Sequence, residues 1–177
     1  MVFNPKENID DFDGKYYTPD GILTCDCRGN YKGLQGNGKE YYESGDYYEG
    51  NFFNGKYDRF GKYFKKQLNN WGYVGEWKQG KPSGSGKEMY PNGDYLEGYF
   101  LNGKANGLGK YYFKVGHLYE GEFRNGMFHG SGKWTHRDGS ARVGQWRNNK
   151  EHGETRVFDS WNNLREIQRM VNGVRTN

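Results

Sequence analysis

Four histidines and two cysteines are the side chains of this 177-residue chain best suited to holding a metal or attacking a substrate. His117, His129, His136 and His152 are scattered along the sequence. His129 and His152 occupy equivalent sites in successive copies of a repeat. Two strands at about 4.8 Å each put them about 10 Å apart, beyond the reach of one zinc ion, whose ligand bonds are about 2 Å. A metal bridging two molecules is left open, but a polar turn residue is the simpler reading. Cys25 and Cys27 lack the second ligand pair of a structural zinc site, and as alternate strand positions they place both thiols on one side. They read as part of a degenerate strand, in a cytosolic, reducing setting. Gly-x-Gly elements such as Gly84-Ser85-Gly86 lie between strand-like stretches and do not lead from a strand into a helix. They are turn and packing glycines, not phosphate loops. No enzyme activity, metal or cofactor is expected.

The elements that must carry these residues are copies of one block. YVGEWKQGKPSGSGKEMYPNG, from Tyr73 to Gly93, returns as LEGYFLNGKANGLGKYYFKVG from Leu96 and as YEGEFRNGMFHGSGKWTHRDG from Tyr119. A Gly-Lys pair begins at Gly14, Gly38, Gly61, Gly86, Gly109 and Gly132. Mid-block glycines at Gly50, Gly75, Gly98, Gly121 and Gly144 are each followed two residues later by Phe52, Trp77, Phe100, Phe123 and Trp146. A fixed period of this length marks a repeat array. Its expected bounds are residues 14–158, with degenerate first and last copies, after a tail or irregular cap at residues 1–13. The stretch from Gly61 to Gly72 is longer than its counterparts and predicts a longer hairpin loop.

Composition limits how such an array can be held together. Tyr (16), Phe (11) and Trp (5) are abundant, Gly reaches 29, and aliphatic residues are scarce. A thick aliphatic interior is therefore excluded, while the aromatic content and the strict period argue against disorder. Residues 1–60 carry 7 basic and 11 acidic side chains, and residues 61–177 carry 19 and 11. The basic groups are interspersed with acids, which implies a solvated surface with weak attraction for acidic partners. No transmembrane run or signal-peptide pattern is present in the sequence.

Within a block Tyr119, Gly121 and Phe123 alternate with Glu120, Glu122 and Arg124, the period of a strand. Asn-Gly, Asp-Gly and Ser-Gly pairs supply the turns. The expected fold is mostly β: tandem antiparallel hairpins joined edge to edge into a single-layer, twisted and curved sheet, elongated by about 10 Å per block. A glycine inside a strand is costly unless something must approach the backbone. The ring of an adjacent strand can lie over that bare position, so stacked rings replace the core. From Asp159 onward Trp161, Leu164, Ile167, Met170 and Val171 fall at helical spacing. With Ser160 or Asp159 as the cap and Gly173 as the stop, one amphipathic helix is expected over about residues 160–172, within a C-terminal segment 159–177.

On the blocks beginning at Tyr73 and Tyr119 the chain resembles the MORN (membrane occupation and recognition nexus) repeat family, which shares Tyr-x-Gly-x-aromatic, a turn glycine, Gly-x-Gly and a second turn. The resemblance spans residues 14–158. It departs at Leu96 and Arg142, which replace the leading Tyr, at Arg59 and Thr155, which replace Gly-x-Gly glycines, and most around Cys25 to Gly33. The resemblance implies an elongated single-layer antiparallel sheet acting as a protein-binding scaffold. Members occur in cilia and flagella, in parasite cytoskeletal complexes and in membrane-contact proteins. The chain is accordingly expected to be a cytoplasmic, cytoskeleton-associated scaffold or adaptor, with a ciliary or flagellar location among its candidates. It would hold helical or extended protein segments in an aromatic groove formed by Tyr48, Phe52, Tyr73, Trp77, Phe100, Tyr119, Phe123 and Trp146. The alternative is a peripheral binder of acidic phospholipid surfaces through Lys62, Lys65 and Lys66. Nucleic acid is not expected, and oligomerisation is compatible with the sequence.

Overall fold

The computed structural model describes residues 15–17, 23–26 and 35–176. The expected N-terminal tail and Cys27 lie outside the described residues. Among the described residues there are fifteen strands: β1 (Lys15–Tyr17), β2 (Leu23–Asp26), β3 (Gln35–Tyr41), β4 (Tyr47–Phe53), β5 (Lys56–Lys65), β6 (Asn70–Lys78), β7 (Lys81–Met89), β8 (Tyr95–Leu101), β9 (Lys104–Tyr112), β10 (Leu118–Arg124), β11 (Met127–Thr135), β12 (Ala141–Arg147), β13 (Lys150–Phe158), β14 (Leu164–Val171) and β15 (Val174–Thr176). The chain divides into two compact units, Met1–Pro91 with Phe100–Gly103 and Asn92–Tyr99 with Lys104–Asn177. Each is an open antiparallel sheet. In the first, neighbouring strands run β2, β1, β3, β4, β5, β6, β7, and in the second they follow chain order to β15.

Two kinds of turn alternate. Asn54-Gly55, Gln79-Gly80, Asn102-Gly103, Asn125-Gly126, Asn148-Asn149 and Asn172-Gly173 all have positive φ at both positions. That conformation matches the right-handed twist of the flanking strands and favours Asn and Gly. The other turns are longer and place Gly45, Gly93, Gly116 or Gly139 at positive φ. In the first of these the Gly45 amide donates to the Tyr42 carbonyl at 2.9 Å, and the Gly116 and Gly139 turns repeat the bond. The long stretch after Gly61 is accommodated by a short 3₁₀ turn at Lys66–Leu68, with Asn69 left-handed.

The glycines that interrupt the strands face one another. Gly38, Gly50, Gly61, Gly75 and Gly86 form one ladder in the first unit, and Gly109, Gly121, Gly132 and Gly144 another in the second. A Cβ added at Gly61 would lie within about 2.5 Å of the Tyr48 ring, at Gly86 against Tyr73, and at Gly132 against Tyr119. The expectation that rings cover bare backbone holds in the structure.

The C-terminal helix does not form. Residues 164–171 are strand β14, paired with β13 through Thr155↔Gln168 and Gly153↔Met170, and β15 closes a last hairpin. The physical reason lies at both ends of the segment. Asp159 accepts from the amides of Trp161 and Asn163 at 3.0 and 2.8 Å, and Asn162 is left-handed, which makes a hairpin turn where a helix cap was expected. Asn172-Gly173 then repeats the tight turn of the array. Met170 occupies the aromatic position of the preceding hairpin and is buried, whereas Ile167 is 56% exposed. Opposite exposure at a spacing of three is what a strand produces and a helix face does not.

Candidate functional site

The eight aromatic residues expected to form a groove are the core itself. Tyr48, Tyr73 and Tyr119 have no accessible surface, and Trp146, the least covered, is 8% exposed. In the first unit Tyr48 stacks on Tyr57, with centroids 3.6 Å apart, and meets Phe52 and Trp77 edge-on at 5.1 and 5.3 Å. Tyr73 meets Trp77 and Phe100 edge-on at 5.1 and 5.0 Å. In the second unit Tyr119 stacks on Phe128 at 3.8 Å and meets Phe123 and Trp146 edge-on at 5.4 and 5.2 Å. These are the offset and edge-to-face arrangements that the ring quadrupole favours.

The polar ends of the rings are satisfied by the backbone. The hydroxyls of Tyr48, Tyr73 and Tyr119 donate to the carbonyls of Asn51, Glu76 and Glu122 at 3.0–3.1 Å. The indole N–H groups of Trp77 and Trp146 donate to the carbonyls of Gly61 and Gly132 at 3.1 and 3.3 Å. Each ring is thus packed and hydrogen-bonded into its glycine ladder. The rings shape the face from below, and the accessible surface around them belongs to less buried side chains.

Where the leading tyrosine is replaced, other chemistry fills the place. Leu96 is buried, and Arg142 grips Glu151 through two hydrogen bonds at 2.5 and 2.9 Å while also donating to Gln168. Thr155, standing for a glycine, is buried with its hydroxyl unpartnered.

Three features went unread in the sequence. The opposite face of the first unit carries its own row, Tyr41, Tyr47 and Phe64, with Lys39 over the Tyr41 and Tyr47 rings at 5.4 and 4.2 Å. The doublets Tyr41-Tyr42, Tyr47-Tyr48 and Tyr63-Phe64 are the signal, because adjacent strand residues point to opposite faces. Second, Glu40 is buried beside the Tyr57 hydroxyl, which donates to it and also bonds the Tyr42 hydroxyl. Burial raises the Glu40 carboxyl to about 7, outweighing the two tyrosine hydroxyls that pull it down. Third, His117 and His136 are not scattered. Cross-strand geometry sets their rings 5.5 Å apart, edge to face, on the wall of an open cleft of about 570 Å³ shared with Arg137, Asp138 and Ser140. Aligning the repeats column by column would have found them, since they fall on facing strand ends.

The expected lipid contacts are dispersed in role. Lys62 pairs in register with Glu49, the Lys65 stem covers Gly72, and the Lys66 stem covers Gly45 while its amide donates to Asp46 at 2.9 Å. Among the described residues no three His, Cys, Asp or Glu side chains gather as metal ligands, and no helix is long and apolar enough to cross a membrane.

Successive hairpins, three of which lay a tyrosine ring across the glycine of their second strand, define a tandem-hairpin repeat protein. Residues 31–47, 48–66, 73–95, 97–117, 119–141 and 143–154 match the model of the MORN repeat, more than half of the chain, and the chain belongs to the MORN repeat family. No curated protein matches it. Among solved structures it is similar to the SAS-4 (dCPAP) TCP domain of Drosophila melanogaster, in complex with a proline-rich motif of Ana2 (dSTIL). The TM-score is 0.52 at 17% identity, over 88% of this chain and 77% of that one. A weaker likeness, with a TM-score of 0.40 and 10% identity over 77% and 65% of the two chains, is to the wild-type TCP10 domain of Danio rerio CPAP in complex with a peptide of Danio rerio STIL. The first likeness shows a shared fold.

Proposed function

We propose that this chain is a non-catalytic scaffold or adaptor that holds segments of protein partners along its aromatic face, in a cytoplasmic, cytoskeletal or ciliary assembly. The observation that carries the reading is the face itself. A one-layer sheet must leave surface uncovered. In the first unit Tyr48, Phe52, Tyr73, Trp77 and Phe100 form a packed floor, and in the second Tyr119, Phe123 and Trp146 form another, bordered by the half-buried rings of Phe113 and Trp134. Pre-formed aromatic surfaces of this kind suit extended or helical segments, because little ordering entropy is lost on the scaffold side. Family membership and the fold shared with a TCP domain whose structure contains a partner's proline-rich motif support the same reading.

The test compares partner capture by wild type, a Phe113→Ala/Trp134→Ala variant and a Phe60→Ser variant on the other face, with circular dichroism confirming that each folds. Loss of partners from the first variant alone supports the reading. Equal recovery of every partner from all three chains refutes it.

A further inference from the structure

We propose that the cleft between His117, His136 and Arg137 is a docking site for a carboxylate side chain of an acidic partner peptide; the proposal rests on the scaffold reading and specifies one of its contacts. At three of the long turns the residue after the turn glycine has the same structural task. Asp46 accepts the Lys66 amide at 2.9 Å, and Asp94 accepts the Lys114 amide at 2.8 Å. Each of these carboxylates also takes a tyrosine hydroxyl, from Tyr63 at 3.3 Å and from Tyr111 at 2.9 Å. In the next repeat the task passes to His117, whose Nδ1 accepts the Arg137 amide at 3.1 Å. The tyrosine position becomes Trp134, whose indole N–H donates to His136 Nδ1 at 3.4 Å. Here a ring nitrogen does the work that an aspartate does after the preceding long turn.

That exchange inverts the chemistry of the cleft. A ring nitrogen that accepts a hydrogen bond carries no proton, so with Nδ1 accepting, the N–H of each imidazole is at Nε2 and offers a donor. A metal at Nε2 would force that proton onto Nδ1, against the N–H groups already pointing there, so the pair is built for an acceptor and not for a cation. The third donor is held in place as well. The Arg137 stem lies over Gly116, where an added Cβ would sit 3.1–3.5 Å from its carbons, and its backbone is tied to His117. Among the described residues no ion pair engages the guanidinium. A guanidinium fork and imidazole N–H groups suit a planar carboxylate. Asp138 shares the lining, with its Oδ1 occupied by the Ser140 amide and hydroxyl at 2.9 and 2.7 Å. Its charge sets a dianionic phosphate at a disadvantage against a single carboxylate. Phe113 and Trp134, 4.7 Å apart, continue the aromatic surface beside the cleft, where the peptide's apolar stretches would lie.

The test uses the full chain, isotope-labelled, and follows the Trp134 indole and histidine imidazole signals by NMR. The probes are a capped peptide alternating proline and glutamate, the same peptide with glutamine, inorganic phosphate, and phosphatidylserine vesicles. The glutamate peptide is expected to shift these signals saturably and to bind at least tenfold tighter than the glutamine peptide. His117→Asp restores the array's own residue and keeps the acceptor for the Arg137 amide, so it should fold as wild type does. It should weaken the glutamate peptide tenfold or more, and Arg137→Gln should do likewise. Equal binding of the two peptides, unchanged affinity in His117→Asp, or response to phosphate or vesicles alone overturns the proposal. Equal peptide binding leaves the scaffold reading standing, whereas no peptide binding together with no partner capture defeats both.

Discussion

Replacing Gly132 with alanine tests the physical basis of the whole array. The added Cβ would lie 2.5–2.7 Å from three atoms of the Tyr119 side chain and from nothing nearer. Ordinary carbon contacts are about 3.5–4.0 Å, so the ring must retreat by about 1 Å. Tyr119 has no accessible surface and is boxed in by Phe123, Phe128 and Trp146, so it cannot move freely. Forcing extra volume into such packing costs about 1–3 kcal/mol. Complete expulsion of the ring sets the ceiling: a tyrosine buries about 150–250 Å², which at about 25 cal/mol per Å² is about 4–6 kcal/mol. Gly132→Ala is therefore expected to destabilise the chain by about 3 kcal/mol, read from urea unfolding followed by circular dichroism. The decisive measurement is a double-mutant cycle with Tyr119→Ala. Once the ring is gone, the Cβ has room, and alanine in a strand is easier to order than glycine by about 0.5–1 kcal/mol. The substitution should then cost almost nothing, giving a coupling of about 2 kcal/mol or more. Equal cost in both backgrounds would show that the ring does not depend on the bare backbone.

Glu40 predicts a pH dependence. Its folded-state value of about 7 lies above the ordinary 4.5. The fold therefore favours the protonated acid, so its contribution is fully present below about pH 4.5 and is lost as pH rises through 7. At about 1.4 kcal/mol per tenfold change in proton affinity, the loss approaches about 3 kcal/mol by pH 8; Glu40→Gln should flatten that part of the urea-midpoint profile, and an unchanged slope would exclude Glu40 as its source. Gly126 has open space around a missing Cβ but φ of 80°, so Gly126→Ala should cost about 1–2 kcal/mol from backbone strain alone. Gly126→Asn should cost less, as Asn149 already holds the equivalent turn at φ 65°. Arg142→Ala leaves the mostly buried Glu151 carboxylate without its bidentate partner and should cost about 1–3 kcal/mol in thermal unfolding, whereas Arg142→Ala/Glu151→Ala should recover part of that loss.

The repeat, its strands and the ring-over-glycine packing were legible because each is a local rule repeated in register. A Gly at a strand centre and an Asn-Gly at a strand end limit the backbone wherever they occur. The last hairpin was misread because Trp161, Leu164, Ile167, Met170 and Val171 satisfy a helical period by coincidence. The tie-breakers were Asn172-Gly173, one step beyond Asn148-Asn149, and Met170 in the aromatic column. The His117–His136 pair was missed because the two stand 19 positions apart in sequence, while cross-strand pairing sets their rings face to edge. Glu40 offered no signal at all. Its environment is completed by Tyr57, 17 residues along the chain, which bonds both Glu40 and the nearby Tyr42 hydroxyl.

By itself the sequence determined that this chain would be hairpins at a constant step, with rings in place of an aliphatic interior, because turn chemistry and bare glycine positions act over a few residues. Only tertiary structure decided that the eight rings are buried and that a surface cleft gathers two imidazoles and a guanidinium. Burial and cross-strand neighbours depend on register summed over several strands, and no single stretch of chain contains that information.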